Sequence, residues 1–296
     1  MILSVEDVSK TFGATKAVKQ VSFSIPEGRI CGFLGPNGAG KTTLIRMIMD
    51  IYKPDVGTVT LGKGLEDAKR KNHIGYLPEE RGLYTKTKVR ETLLYFARLK
   101  GLDAAKASEN TDYFLDRLGM TPVADTQIEK LSKGNQQKIQ FISAIVSRPR
   151  LLILDEPFSG LDPVNVRLVS EVIRELRQSG ISIVLSTHQM GQAETFCEQI
   201  FLFNKGELIL SGELEPIIQQ NSGGSLIVET ERELAACDLF DILEREERRT
   251  KIELKPDITT QDLLHWLAWQ SAGLISLQPY RVPLADIFIR EVAAHG

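Results

Sequence analysis

The chain has 296 residues, 42% hydrophobic side chains and a net charge of −3, enough for one large domain and a smaller one. So even a charge balance argues against a dominant nucleic-acid surface, and no nucleic-acid partner is expected. Three cysteines, Cys31, Cys197 and Cys237, lack CxxC spacing, which argues against a metal site and for a reducing cytosol. Met1 to Asp7 shows no basic segment followed by a long apolar core, so no signal peptide is read. No apolar run approaches the ~20 residues of a spanning helix.

In chain order, Ile2 to Val8 and Val21 to Ile25 alternate as strands, and Arg29 to Leu34 is an apolar, strand-like run with Cys31 packed as a small hydrophobe. Leu44 to Ile51 is helical, Pro54 to Gly57 a turn, and Thr58 to Leu61 and Ile74 to Leu77 strands. Helical periodicity then runs from Lys88 to Gly119 and from Asn135 to Ser147. Leu151 to Leu154 is a continuous apolar strand, Val164 to Gln178 a helix, and Ile181 to Leu185 and Ile200 to Phe203 are buried strands. This alternation predicts an α/β domain over about 1–220 with a mostly parallel, mixed sheet, interrupted by a helical insertion at about 80–148. Asn221 to Ser225 is linker-like. Beyond it, 222–296 predicts a small α+β domain: strand Leu226 to Glu229, helix Leu234 to Glu244, a short strand at 246–249, strand Lys251 to Leu254, helix Thr260 to Gln270, strand Leu274 to Leu277 and helix Leu284 to Val292. That order is a ferredoxin-like β-α-β-β-α-β unit with a terminal helix, with Trp266, Trp269 and Phe288 for its core and no metal.

Residues Gly35-Pro36-Asn37-Gly38-Ala39-Gly40-Lys41-Thr42-Thr43 follow the pattern G-x-x-x-x-G-K-[ST]. Glycines let the chain curl so that several N–H groups point at one phosphate, and the following helix adds the positive end of its dipole. Lys41 neutralises the outer phosphates and the Thr42 hydroxyl ligates Mg²⁺. Downstream, the strand ending in Leu154-Asp155-Glu156-Pro157 delivers two carboxylates at its carboxyl end, where open α/β sheets bind ligands. Asp155 suits Mg²⁺, held through its water shell, and Glu156 suits the general base that polarises an attacking water. A third segment, Leu131-Ser-Lys-Gly-Asn-Gln136, places Ser132 and Gly134 at a helix start, a second anion-binding arrangement.

In combination these segments resemble the ATP-binding subunits of ABC transporters over residues 1 to about 220. The resemblance makes Phe12 the aromatic that stacks on adenine, Gly35 to Thr43 the Walker A loop, and Asp155 with Glu156 the Walker B pair. It makes Leu131 to Gln136 the signature, with Ser132, Gly134 and Gln136 facing ATP held by the other protomer. Ser159 to Asp162 is similar to the D-loop, and His188, in Ser186-Thr-His188, to the switch histidine. The family's Gln is replaced here by Glu79, which resembles it as a residue near Mg²⁺ and the lytic water. The added negative charge is either tolerated or alters Mg²⁺ dependence and turnover. The string Gly75 to Tyr84, with Pro283 to Arg290, resembles a bacterial branch similar to sodium-exporter ATPases that carries a small C-terminal domain.

The resemblance implies an ATPase that uses ATP and Mg²⁺, works as a head-to-tail homodimer and drives a separate integral-membrane permease, peripherally, at the cytoplasmic face of the membrane. Arg81 to Tyr84, with Leu93, Leu94 and Phe96, is expected to form the permease contact. Nucleotide chemistry is expected to be independent of the C-terminal unit. The alternative is a soluble ABC-type ATPase with a non-transport partner. Chromosome-type members carry long coiled coils, whereas only about fifty residues separate Glu79 from Leu131 here, without sustained heptads. Ribosome-type members join two cassettes, and this chain has one. A P-loop kinase or GTPase is disfavoured by the signature and the Ser159 to Asp162 segment.

Overall fold

The computed structural model describes residues 1–65, 70–80, 82–270 and 273–295. The chain divides into two compact units, Met1–Glu213 and Leu214–Ala294. In the first, β1 (Leu3–Phe12), β2 (Thr15–Ile25), β3 (Ile30–Leu34), α1 (Lys41–Ile48), β4 (Val56–Leu61) and β5 (Ile74–Leu77) precede three helices, α2 (Val89–Leu99), α3 (Ala104–Arg117) and α4 (Lys133–Ile145). Then follow β6 (Leu151–Asp155), α5 (Pro163–Gln178), β7 (Ser182–Thr187), α6 (Met190–Phe196), β8 (Gln199–Asn204) and β9 (Glu207–Glu213).

The main sheet has the order β5-β6-β7-β3-β8-β9, parallel except for β9. Its central strands β3, β6 and β7 are buried along their whole length, which is why they read as unbroken apolar runs rather than alternating ones. Leu34 pairs with Thr187, and Asp155 with Ser186. The carboxyl ends of these three strands therefore finish side by side. A separate antiparallel sheet, β2-β1-β4, lays its inner face on the main sheet. Phe23 from β2 meets Phe201 at 4.6 Å and Phe33 at 5.4 Å between ring centroids, and Phe33 meets Phe203 at 5.4 Å. These edge-to-face and tilted contacts join the two layers under the start of α1.

The helical insertion is a satellite of its own. The long helical stretch breaks at Gly101, which takes φ 90°. Asp103 then caps α3 by accepting from Lys106 N at 2.8 Å. Asn110 ties α3 to α4's end through Val146 O at 2.8 Å. On the other side, Tyr113 and Arg117 both hold Glu175 of α5. Leu93, read as a surface contact from sequence, is fully buried.

The second unit contains α7 (Leu214–Ser222), β10 (Leu226–Thr230), β11 (Phe240–Glu246), β12 (Arg249–Leu254), α8 (Thr260–Trp269), β13 (Leu274–Pro279) and α9 (Leu284–Ala294). It is α+β, but α7 belongs with it, so the division falls upstream of the linker-like segment. The expected helix at 234–244 and the short strand at 246–249 are also replaced: 240–246 is a strand, and β11 turns into β12 through Glu247 and Arg248. Period two wins there because Phe240 and Ile242 register against Leu254 and Ile252, and Phe240 is buried with Trp266 edge-on at 5.4 Å. The sheet order β11-β12-β10-β13, antiparallel throughout, still splits two parallel pairs, as in a ferredoxin-like sheet. Only the second crossover, α8, is helical, and a Thr259–Asp262 capping box starts it. Trp269 is 78% exposed and is not part of this core.

Candidate functional site

The edge formed by the carboxyl ends of β3, β6 and β7 is where the chemistry-bearing residues converge. The loop from Gly35 to Gly40 leaves β3 and opens α1 at Lys41. Two of its glycines are there for want of room. A Cβ on Gly35 would lie 2.2 Å from Phe203 O, and one on Gly40 2.4 Å from Ala17 O. Both also take positive φ, 143° and 99°. The loop is thus pressed between β2 and the end of β8. Ala39 N donates within it to Pro36 O at 3.2 Å, and the first N–H groups of α1, like those of any helix, have no partner inside the helix.

Lys41 is 7% exposed. Its Nζ donates to Gly35 O at 2.6 Å and Pro36 O at 3.0 Å. Burial lowers its pKa, and the carboxylates of Glu156, Asp155 and Glu79 act in the opposite direction. Thr42 Oγ1 lies 3.4 Å from Asp155 Oδ2. Asp155 is 2% exposed. Burial raises its pKa against the opposing pull of the Ser186 hydroxyl and Lys41, and the neighbouring Glu79 and Glu156 add to the rise.

Glu156 sits in the left-handed region at φ 49°, and its N–H donates to Ser186 O at 2.9 Å. Its Oε1 accepts from His188 N at 2.9 Å and lies 2.6 Å from His188 Nδ1. A carboxylate can only accept, so Nδ1 carries the ring proton. Thr187 Oγ1 lies 3.3 Å from Oε2 and 3.1 Å from Gln192 Oε1, one hydroxyl proton between two acceptors.

Asn37 to Thr43, Glu79, Asp155 and Glu156 line one cavity of about 610 Å³. Lys16, Ala17, Lys19 and Lys205 line it too. Sequence reading missed these, with Ala14 and Thr15 beside them, because no motif joins residues of the β1–β2 hairpin and of the β8–β9 turn to the phosphate loop.

Phe12 does not line the cavity. It stands 43% exposed at the tip of the β1–β2 hairpin, edge-on to Tyr52 at 5.3 Å, two residues before Ala14 and Thr15, which do line it. Ser132, Gly134, Gln136 and Asp162 are outside it as well. Ser132 caps α4, accepting from Asn135 N at 3.3 Å. Gln136 donates to Ile128 O and Leu131 O. Asp162 caps α5, accepting from Asn165 N at 2.9 Å. A Cβ on Gly134 would approach Gly160 O at 3.7 Å, so the signature segment and the Ser159 to Asp162 loop adjoin each other.

A glycine loop opening a helix after a central parallel strand, with a carboxylate-bearing strand end beside it, defines a P-loop nucleoside-triphosphate-binding domain. The family model described as ABC transporter matches residues 18–159. The ABC transporter ATP-binding protein YhaQ of Bacillus subtilis (strain 168) is 41% identical over 99% of this chain and 99% of its own length. The Nod factor export ATP-binding protein I of Sinorhizobium fredii (strain NBRC 101917 / NGR234) is 36% identical over 76% of this chain and 66% of its own. A solved structure of the ATP-binding subunit of an ABC transporter superposes with a TM-score of 0.70 at 30% identity, covering 75% of this chain and 93% of that one. The chain belongs to the ABC transporter ATP-binding proteins: it binds ATP and is an ATPase.

Asp155 supplies a pH test. A carboxyl pKa raised in the folded protein means that the native state keeps a proton the unfolded chain has lost, so stability falls as pH rises above the unfolded value near 3.8. Asp155→Asn removes that penalty. Thermal melts without nucleotide should show the variant more stable than wild type at pH 7, with the difference closing toward pH 4. A wild-type melting curve at pH 7 would mean that the buried charge carries no penalty.

Proposed function

We propose that the chain is the ATP-hydrolysing subunit of an exporter, peripheral at the cytoplasmic face of the membrane, where two copies pair head to tail and drive a separate permease. The observation that carries the pairing is the separation just described. Ser132 and Gly134 form an anion-binding helix start away from the cavity that the phosphate loop lines. A two-fold arrangement gives each loop the partner's signature. Among the described residues no helix is long and apolar enough to cross a membrane, which supports a separate membrane subunit, and likeness to a Nod factor export protein supports export.

In the proposed reaction the triphosphate lies on the N–H groups of residues 38 to 43, and Lys41 transfers its donors from the Gly35 and Pro36 carbonyls to phosphate oxygens. Water attacks the γ-phosphorus, Glu156 accepts its proton, and the bond to the bridging oxygen breaks to release ADP. His188 positions Glu156 through Oε1, leaving Oε2 the less committed oxygen. Thr42 Oγ1 and the Asp155 carboxylate are adjacent hard oxygen donors, which fits Mg²⁺, with Glu79 on the same cavity. The ion, when bound, offsets charge on the β- and γ-phosphates.

Glu156→Gln should retain ATP binding, lose turnover by ~10²–10⁴-fold, and run as a dimer with ATP in light scattering. Wild-type turnover would remove Glu156 from its role, and a strict monomer at high concentration would count against the pairing.

For Phe12 we propose stacking on adenine, from its exposed ring beside the cavity-lining Ala14 and Thr15. Stacking is worth ~1–3 kcal/mol per base, so Phe12→Ala should weaken ATP binding by roughly 5- to 150-fold at unchanged melting temperature. Unchanged affinity with a lowered melting temperature would make the ring a packing residue of the hairpin.

The permease contact is proposed at an exposed aromatic group. Tyr84 and Tyr95 are 59% and 51% exposed, and both meet Phe96, at 6.5 and 5.6 Å; Leu83 and Leu94 are half-buried nearby in sequence. Arg81 lies outside the described residues. An aromatic surface of this kind suits the apolar face of a short helix. Tyr84→Glu should abolish transport by the reconstituted complex while ATPase activity of the isolated chain persists. Loss of both would place Tyr84 in the fold's core packing.

A further inference from the structure

The hairpin that joins β8 to β9 turns on Lys205 and Gly206, with φ values of 46° and 86°, between the paired residues Asn204 and Glu207. Positive φ at both central positions is the type I′ arrangement, in which Asn, Asp or Gly is favoured at the first position. A lysine there crowds its Cβ against the backbone. The chain thus keeps an unfavourable residue where a favourable one is a small change away, and such outliers cluster at ligand sites.

The turn is also fixed to the phosphate loop. Gly206 N donates to Ala39 O at 3.1 Å, and Lys19 N donates to Gly206 O at 2.8 Å. A Cβ on Gly206 would come within 2.9 Å of Ala17 O. Lys205 is therefore carried on a rigid mount against the loop, and its exposed side chain lines the loop's cavity. The turn's acidic neighbour, Glu207, is held by Lys19 at 2.9 Å. Around the cavity the carboxylates of Asp155, Glu156 and Glu79 stand against the ammonium groups of Lys41, Lys16, Lys19 and Lys205. With Lys19 paired to Glu207, Lys205 is part of the positive charge left to meet a polyphosphate.

We infer that Lys205 is a binding residue for the phosphate chain of the nucleotide. Its left-handed backbone directs the ammonium to the cavity, and it sets affinity for ATP without taking part in bond cleavage. This rests on the phosphate loop being the ATP site.

The test uses the full chain and steady-state ATPase assays. Lys205→Gly removes the ammonium and relieves the backbone, Lys205→Asn removes it in a residue that tolerates positive φ, and Lys205→Arg keeps the charge. Lys106→Ala on α3 removes one charge elsewhere. The Gly and Asn variants should raise KM for ATP by about 3- to 10-fold with kcat unchanged, and the rise should shrink with added salt. The Arg variant should stay near wild type. Lys205→Gly should also melt about 2 °C higher than wild type without nucleotide, so stability and affinity move in opposite directions. A wild-type KM in both neutral variants, or an equal rise in Lys106→Ala, would overturn the assignment. A lower melting temperature for Lys205→Gly would overturn the strain that motivates it. Lys41→Ala separates the two levels. If it leaves nucleotide affinity unchanged, the loop is not the ATP site and both readings fall. If it abolishes binding while the Lys205 variants bind as wild type, only the role of Lys205 falls.

Discussion

Everything at the site depends on burying unlike charges together at the ends of three parallel strands. Lys41, Asp155 and Glu156 are each less than a tenth exposed, and any of them alone would be expensive to remove from water. They persist because the register of β3, β6 and β7 sets them beside one another and beside groups that satisfy them. Lys41 rests on two loop carbonyls, and Glu156 accepts from the N–H and ring of His188. Asp155, with Thr42 Oγ1 at 3.4 Å, is the least well compensated, and its raised pKa is the sign of that.

The loop itself is shaped from outside. Gly35 is held against the carbonyl of Phe203, Gly40 against that of Ala17, and Gly206 bonds back to Ala39. The phenyl rings of residues 23, 33, 201 and 203 lie behind these contacts and join the antiparallel layer to the main sheet. Inside the loop Ala39 N donates to Pro36 O at 3.2 Å, and β2 and the β8–β9 turn supply the rest of its shape.

That division explains what could be read in the sequence. The phosphate loop and the acidic strand end are contiguous segments whose spacing carries their geometry, and the strands before them are unbroken apolar runs, whereas His188 is legible only through the family resemblance. Lys16 and Lys205 reach the cavity only through sheet order, which composition does not state. In the second unit, Leu234 to Glu244 offers apolar residues at spacings that suit either period, and the strand is settled by cross-strand partners Leu254 and Ile252. Trp269 and Leu93 fail in opposite directions: a large aromatic is exposed and an expected surface leucine is core. Hydrophobicity alone does not say which side of a helix another element will cover.

Because the chain's own groups satisfy Lys41 and Glu156, ligand binding at the loop is an exchange of partners. A phosphate oxygen has to replace the Gly35 and Pro36 carbonyls on Nζ, so the lysine contributes the difference between two sets of hydrogen bonds. Among the loop's N–H groups, that of Ala39 is likewise taken, by Pro36 O at 3.2 Å, so it too would exchange a partner on meeting an anion. Lys41 then distinguishes a loop holding its own carbonyls from one holding an anion, and the same displacement opens the carbonyl side of the loop to relax. A similar exchange governs Glu156. Its two oxygens are held unequally, two contacts against one shared hydroxyl proton, so the carboxylate can keep its orientation through His188 while its other oxygen changes partner.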